Sequence, residues 1–126
     1  MPVLDQQKAL EFYTQKLGFS VKQDEPVGEH RWLTVVAEQN AATVELLLEP
    51  MAFEPARVYQ QALFDVGIPI TMFASDDLAA EVALLRERGV EFKGEIMEMP
   101  NVKLIHFEDT CGNILALAEQ IDTGNS

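Results

Sequence analysis

The sequence has little cysteine, no long apolar run and none of the common catalytic signatures. Its single cysteine, Cys111, excludes an intramolecular disulfide and a cysteine-rich zinc site, and we expect it to be an inert thiol exposed in a turn. No apolar stretch approaches the ~18 residues of a membrane span, and no signal peptide is present. Glycine-rich phosphate loops, the HExxH zinc motif and a nucleophile elbow are absent. We therefore expect a cytoplasmic protein that has no membrane partner.

Positive charge is also scarce. Nine lysines and arginines stand against 21 aspartates and glutamates, which gives a net charge of −12 over 126 residues. Such a chain repels nucleic acid and anionic surfaces, so we expect no nucleic-acid partner. The acidic surface either serves solubility alone or attracts a cationic small molecule.

What the sequence does contain is an internal duplication with an offset of 71 residues. Four pairs of positions show it: Asp5 with Asp76, Ala9 with Ala80, Gly18 with Gly89, and Glu45 with Ala116. In each half, the apolar periodicity and the turn residues predict the order strand, helix, strand, strand, strand. The modules cover about 1–50 and 69–120. A helical linker over 51–68 joins them, in which Pro55 suits the first turn, Gly67 suits the end and Val58 faces the sheet.

The predicted fold class is α+β. A single unit of this size cannot bury its apolar sheet face alone, so two units must cover one another or a second chain. We expect a single domain of two βαβββ modules in tandem, which form a curved, open-barrel-like mixed sheet around a cleft, with the helices on the outer face. Small ligands bind in clefts of this kind.

The chain resembles the vicinal oxygen chelate superfamily, which includes glyoxalase I, the bleomycin resistance proteins, fosfomycin resistance enzymes and the extradiol dioxygenases. Four segments carry the resemblance: DQQKALEFYTQKLGF at 5–19, VELLLEP at 44–50, LRERGVEF at 85–92 and FEDTCGNILALAE at 107–119. The resemblance implies the paired βαβββ fold. It implies less about a reaction, because the superfamily includes several chemistries and some pure binders.

The resemblance also places the metal-ligand positions of the superfamily on this chain. They fall on Glu45, Ile70, Ala116 and a position ahead of Met1. Only Glu45 can coordinate a metal, whereas a divalent ion usually takes three or more protein ligands. We therefore expect no metal and no cofactor, with a nonstandard divalent metal site as the alternative.

Strand pairing predicts which side chains line the cleft. A hairpin around 109–113 sets His106 opposite Ala116, and cross-strand partners share a face. His106 is then either a hydrogen-bonding or acid/base group of the cleft or an ordinary histidine of the core or surface. A slip of one residue would turn it outward.

The same argument in the first half pairs Val35 with Glu45. Glu45 is then either a charged ligand-binding group or a salt-bridged structural carboxylate. By this parity Trp32 belongs to the core, but a register that differs by one residue moves it into the cleft. The predicted ligand-binding residues are Arg31, Leu33, Val35, Glu45, Ile70, Met72, His106 and Ala116.

These features favour a protein that binds a hydrophobic or cationic small molecule without transforming it, as the resemblance to the bleomycin resistance proteins implies. The alternative is a lyase or dioxygenase in which Glu45 and His106 hold a metal or act as acid and base. A third possibility is an assembly module with no ligand. The resemblance and the open edge left by a short first strand both imply a homodimer.

Overall fold

The structure is a computed structural model that describes residues 1–37 and 45–121. The start of the predicted strand around Glu45, the turn before it and the end of the C-terminal tail lie outside the described residues. The order of helices and strands confirms the duplicated α+β pattern.

The first half contains β1 (Pro2–Val3), α1 (Gln6–Glu11), a π-helical turn (Phe12–Lys16), β2 (Ser20–Val27), β3 (His30–Val36), β4 (Leu46–Leu47) and β5 (Glu49–Pro50). The second half contains α2 (Glu54–Val66), β6 (Thr71–Ala74), α3 (Leu78–Glu87), β7 (Phe92–Glu98), β8 (Val102–Glu108) and β9 (Ile114–Gln120). Three open sheets have the strand orders β1-β5, β2-β3-β4 and β6-β9-β8-β7. The pairs β1–β5 and β6–β9 are parallel and the others are antiparallel, so the sheets are mixed.

The number of residues from the helix N-cap to the glycine that follows the helix differs by one between the two halves. Asp5 caps α1, but the cap of α3 is Asp77 rather than Asp76, which the offset of 71 had indicated. The extra residue in the first half is absorbed by the π-helical turn, as is usual for a one-residue insertion in a helix. Both helices are followed by a glycine in the left-handed region, at φ 80° for Gly18 and 91° for Gly89.

One hydrophobic core cluster draws on both halves of the chain. Tyr13 and Leu33 from the first half lie in the same cluster as Leu85 and Phe107 from the second. Because α1 and α3 both contribute to this cluster, the helices cover one face of the sheets. We call the opposite face of each sheet its open face.

The turn between β8 and β9 locks the two halves together through buried hydrogen bonds. The Tyr13 hydroxyl donates to Asp109 Oδ2 at 2.9 Å, and the backbone N–H groups of Cys111 and Asn113 donate to Asp109 Oδ1. Cys111 is completely buried, so the prediction of an exposed thiol was wrong. Burial raises the pKa of the Cys111 thiol to about 11, which makes it unreactive near neutral pH.

The linker helix α2 begins and ends as predicted. Pro55 lies in its first turn, and Gly67 ends it in the left-handed conformation at φ 76°. Val58 does not face the sheet, because its side chain is 54% exposed; the buried residue is Gln60, which donates to the Pro2 carbonyl and to Asn113. No helix among the described residues has the length and apolar character needed to span a bilayer.

Candidate ligand-binding site

The open face of the second half presents a row of four side chains across the sheet. His106 pairs with Ala116 as predicted, Met72 pairs with Ala116 on the other side, and Lys93 pairs with His106. Paired residues share a face, so all four point the same way. Met72 is 59% exposed and His106 is half-buried, whereas the small Ala116 lies at the floor of the row.

The register of the first half differs by one residue from the prediction. Thr34 pairs with Leu47 and Val35 pairs with Leu46, so the predicted pairing of Val35 with Glu45 was wrong. A register that differs by one residue exchanges the two faces of the strand.

The shifted register moves three predicted site residues away from the open face. Leu33 and Val35 are completely buried in the core cluster, so neither is available to a ligand. The Arg31 guanidinium lies on the same side as Leu33 and forms an ion pair with Asp24 at 2.7 Å and a hydrogen bond with Gln7. Arg31 therefore ties β3 to β2 and α1.

The same shift turns Trp32 and Thr34 toward the open face, where Trp32 is exposed and Thr34 is buried at 2% exposure. Trp32 is 46% exposed, in agreement with the alternative register that placed it in the cleft. It lies two residues from Thr34 on the same strand, which is ~7 Å along β3.

Glu45 is exposed on this open face and is held by two neutral donors. Its Oε1 atom accepts hydrogen bonds from Gln23 Nε2 and from Thr34 Oγ1, each at 2.8 Å. The hydrogen bond from Gln23, followed by that from Thr34, lowers the pKa of Glu45 below its usual value. Glu45 is therefore an anion near neutral pH, and Lys22 nearby also lowers its pKa. Within residues 1–37 and 45–121, its hydrogen-bond donors are neutral and it forms no salt bridge.

Ile70 lies at the start of β6 and packs against the core cluster, so it contributes less to the open face than Met72 does. Within the described residues, no hydrogen bond or ion pair joins Glu45 to His106. One chain thus presents two separate half-sites. The first sheet carries Trp32 and Glu45, with Gln23 and the buried Thr34 holding Glu45, and the second carries Met72, Lys93, His106 and Ala116.

The side chains at the metal-ligand positions of the superfamily do not fit a metal. Glu45 offers a carboxylate, but Ile70 and Ala116 have no donor atom. Across residues 1–37 and 45–121, no group of three or more His, Cys, Asp and Glu side chains is arranged to hold an ion.

Three residues of these half-sites were missed from the sequence. Gln23 and Lys93 lie beside irregular strand pairings, between Val21 and Gln23 and between Lys93 and Met97, which break the simple alternation of faces. Thr34 was missed through the register of β3. The sequence offered one signal for Thr34, which is that it lies two residues from Trp32 on β3. The two side chains share a face in either register, so the alternative that placed Trp32 in the cleft also placed Thr34 on that face.

Comparisons with known proteins identify the family of the chain. The family model described as the glyoxalase/bleomycin resistance protein/dioxygenase superfamily matches residues 1–117. The chain belongs to this superfamily. It is 44% identical over 118 residues to the uncharacterized protein YurT of Bacillus subtilis (strain 168), a match that covers 94% of this chain and 93% of YurT.

Two solved structures are similar over nearly the whole chain. UcmS2 is 32% identical with a TM-score of 0.79, and the match covers 94% of this chain and 92% of UcmS2. TnmS3, an antibiotic binding protein from Streptomyces sp. CB03234, is 30% identical with a TM-score of 0.71, and the match covers 96% of this chain and 91% of TnmS3.

Proposed function

We propose that this superfamily member binds a hydrophobic cationic small molecule on the open faces of its sheets, without the superfamily's metal and without transforming the ligand. The observation that carries the proposal is the exposed Trp32 ring on the same face as the anionic Glu45. The similarity to the antibiotic binding protein TnmS3 supports the binding of a small molecule, because the two chains align over nearly their full length.

The chemistry of the first half-site selects for a cation. An indole face attracts a cation or a flat cationic ring system, and the attraction is greatest where water is excluded. Glu45 adds a full negative charge that remains ionised because Gln23 and Thr34 stabilise it. The net charge of −12 raises the local concentration of cations around the whole molecule.

A homodimer would complete the site. Each chain exposes Val27 and Trp32 on one sheet and Met72 and Met97 on the other, which is more apolar surface than an isolated site needs. In a two-fold dimer, the first sheet of one chain can face the second sheet of its partner, which gives two identical clefts. The row of Met72, Lys93, His106 and Ala116 would then form the wall opposite Trp32, with the charge of Lys93 paired to Glu108.

Calorimetry with matched ligands tests the ligand class. We expect saturable binding of aromatic cations, and weaker or absent binding of anions with the same ring system. Glu45→Gln should weaken cation binding by roughly tenfold, since it removes one charge-assisted contact. Glu87→Gln removes an exposed carboxylate elsewhere and serves as the control, with unchanged affinity. Tighter binding of the anionic ligands would overturn the proposed ligand class.

A further inference from the structure

A cavity with a volume of about 330 Å³ lies where the two halves of the chain meet. It extends between the helices and the core side of the second sheet, so it is separate from the row of side chains on the open face. We call it the junction cavity. Leu17 and Phe19 from the end of the first helix form one wall, and Phe73, Leu84 and Leu117 from the second half form the other.

Ten of the twelve residues that line the junction cavity are non-polar, and Glu81 and Arg88 bring charged groups into the lining. The rings of Phe19 and Phe73 meet edge to face with their centroids 5.4 Å apart, and both side chains are half-buried. The volume lies at the small end of the ~300–1,000 Å³ range typical of ligand pockets. A compact hydrocarbon body is therefore the kind of group that fits.

One end of the cavity is basic. Arg88 lines it, and within the described residues the guanidinium makes one hydrogen bond, a long one of 3.4 Å from Nη1 to the Lys16 carbonyl. The missing side chain of Gly18 makes room for this group, because a Cβ there would lie 2.8 Å from Nη1. Lys16 adds a second cation nearby, with its Nζ donating to the Gly89 carbonyl at 3.2 Å. A guanidinium has five donors in a planar fork, so Arg88 retains donors for a carboxylate.

The other end is acidic. Glu81 lies seven residues before Arg88, which is ~10 Å along a helix axis. Its carboxyl group is half-buried, and desolvation raises its pKa. Asp76 and Asp77 line the adjoining groove, which shares Glu81 and Leu84 with the junction cavity. A second negative group on a ligand would be repelled here.

We infer that the junction cavity binds amphipathic monocarboxylates, with the carboxylate at Arg88 and the hydrocarbon chain along Phe19, Phe73 and Leu84. The charges at the two ends set the specificity: one anionic head is accepted and a second is rejected. The junction cavity is separate from the cation site on the open face. A negative binding result for one site therefore leaves the proposal for the other unchanged.

Calorimetry on the full chain with octanoate, suberate and octanamide tests the inference. These compounds have the same chain length and differ only in their end groups. We expect saturable binding of octanoate and none of suberate or octanamide. Absent octanoate binding, or equal binding of suberate or octanamide, would overturn the inference without any variant.

Two variants locate the binding. Arg88→Gln should weaken octanoate binding by roughly tenfold or more, because it removes the charge that pairs with the carboxylate. Leu84→Trp should block the cavity, and since Leu84 is 44% exposed, a larger side chain can be added there without disturbing the core. Arg57→Gln, on the surface of α2, is the charge control and should leave binding unchanged. Loss of octanoate binding in Glu45→Gln but not in Leu84→Trp would place the ligand on the open face and contradict the inference.

Discussion

Trp32 and Glu45 determine which kind of ligand the first half-site can bind. Trp32 presents an exposed ring, and Glu45 presents a charge that neutral donors hold in place. A cation that bound between them would gain a contact with the ring and neutralise a carboxylate that has no basic partner among its hydrogen bonds. The physical basis for ligand selection is therefore local, even though the complete cleft would need a second chain.

The buried hydrogen bond from Tyr13 to Asp109 should contribute measurably to stability. Tyr13→Phe removes the donor at 2.9 Å and leaves a buried carboxylate oxygen with one partner fewer. We expect the free energy of unfolding to fall by about 1–3 kcal/mol. Tyr59→Phe, at an exposed position of α2, should change it by less than ~0.5 kcal/mol. Urea denaturation of both variants makes the comparison, and an equal effect would show that the Asp109 turn does not lock the two halves.

The buried thiol of Cys111 should make the fold sensitive to alkali. Its pKa in the folded state is raised from 9.0 to about 11, so the unfolded chain loses this proton first as the pH rises. The stabilisation is complete below pH 9 and is lost progressively as the pH approaches 11. The raised pKa of Tyr13 acts in the same direction at still higher pH. Denaturation measured under reducing conditions from pH 7 to pH 11 should show a smaller loss in Cys111→Ala than in the parent, and parallel curves would contradict this prediction.

At the scale of the elements, the N-caps offer a test of where α3 begins. Asp77 Oδ1 accepts from the Ala80 backbone N–H at 3.1 Å, whereas the duplication alone pointed to Asp76. Asp77→Ala should cost about 1 kcal/mol of unfolding free energy, and Asp76→Ala should cost much less. Thermal or urea unfolding distinguishes the two variants, and a larger effect at Asp76 would refute the assignment of the cap.

The elements also show why only part of the site was predictable from the sequence. The pairing of His106 with Ala116 was confirmed because the short turn at Asp109 and Gly112 leaves little freedom in register. The pairing of Val35 was wrong because it was transferred from the second half at an offset of 71, while β3 departs from that offset by one residue. Successive side chains of a strand point to opposite faces. The error of one residue therefore placed Leu33 and Val35 on the open face in the prediction, where the structure has Trp32 and Thr34. The π-helical turn after α1 is the same kind of one-residue difference.

At the scale of the whole molecule, the fold was more predictable than the site. The apolar periodicity, the helix caps and the repeated glycines specify the order of helices and strands. A shift of one residue in the sequence does not change that order. A single core that includes residues from both halves then fixes which sheet faces are buried. The faces left open differ between the halves at the pair of positions with Glu45 in one half and Ala116 in the other.

We predict a homodimer held by the open faces. Sedimentation analysis should give twice the 14.1 kDa mass of the chain. Met72→Lys should shift the protein toward the monomer, because it places a charge within the paired apolar faces. Phe53→Lys changes an exposed apolar residue at the start of α2 and should leave the dimer intact. A monomeric parent protein at micromolar concentration would contradict the prediction.

The fluorescence of Trp32 tests the central claim most directly, because Trp32 is the only tryptophan of the chain and lies on the proposed binding face. Titration with a non-absorbing hydrophobic cation should change its emission saturably, with the same affinity that calorimetry gives. Glu45→Gln should shift the titration to higher concentration, and Glu87→Gln should not. Calorimetric binding with unchanged Trp32 emission would place the ligand elsewhere and contradict the account.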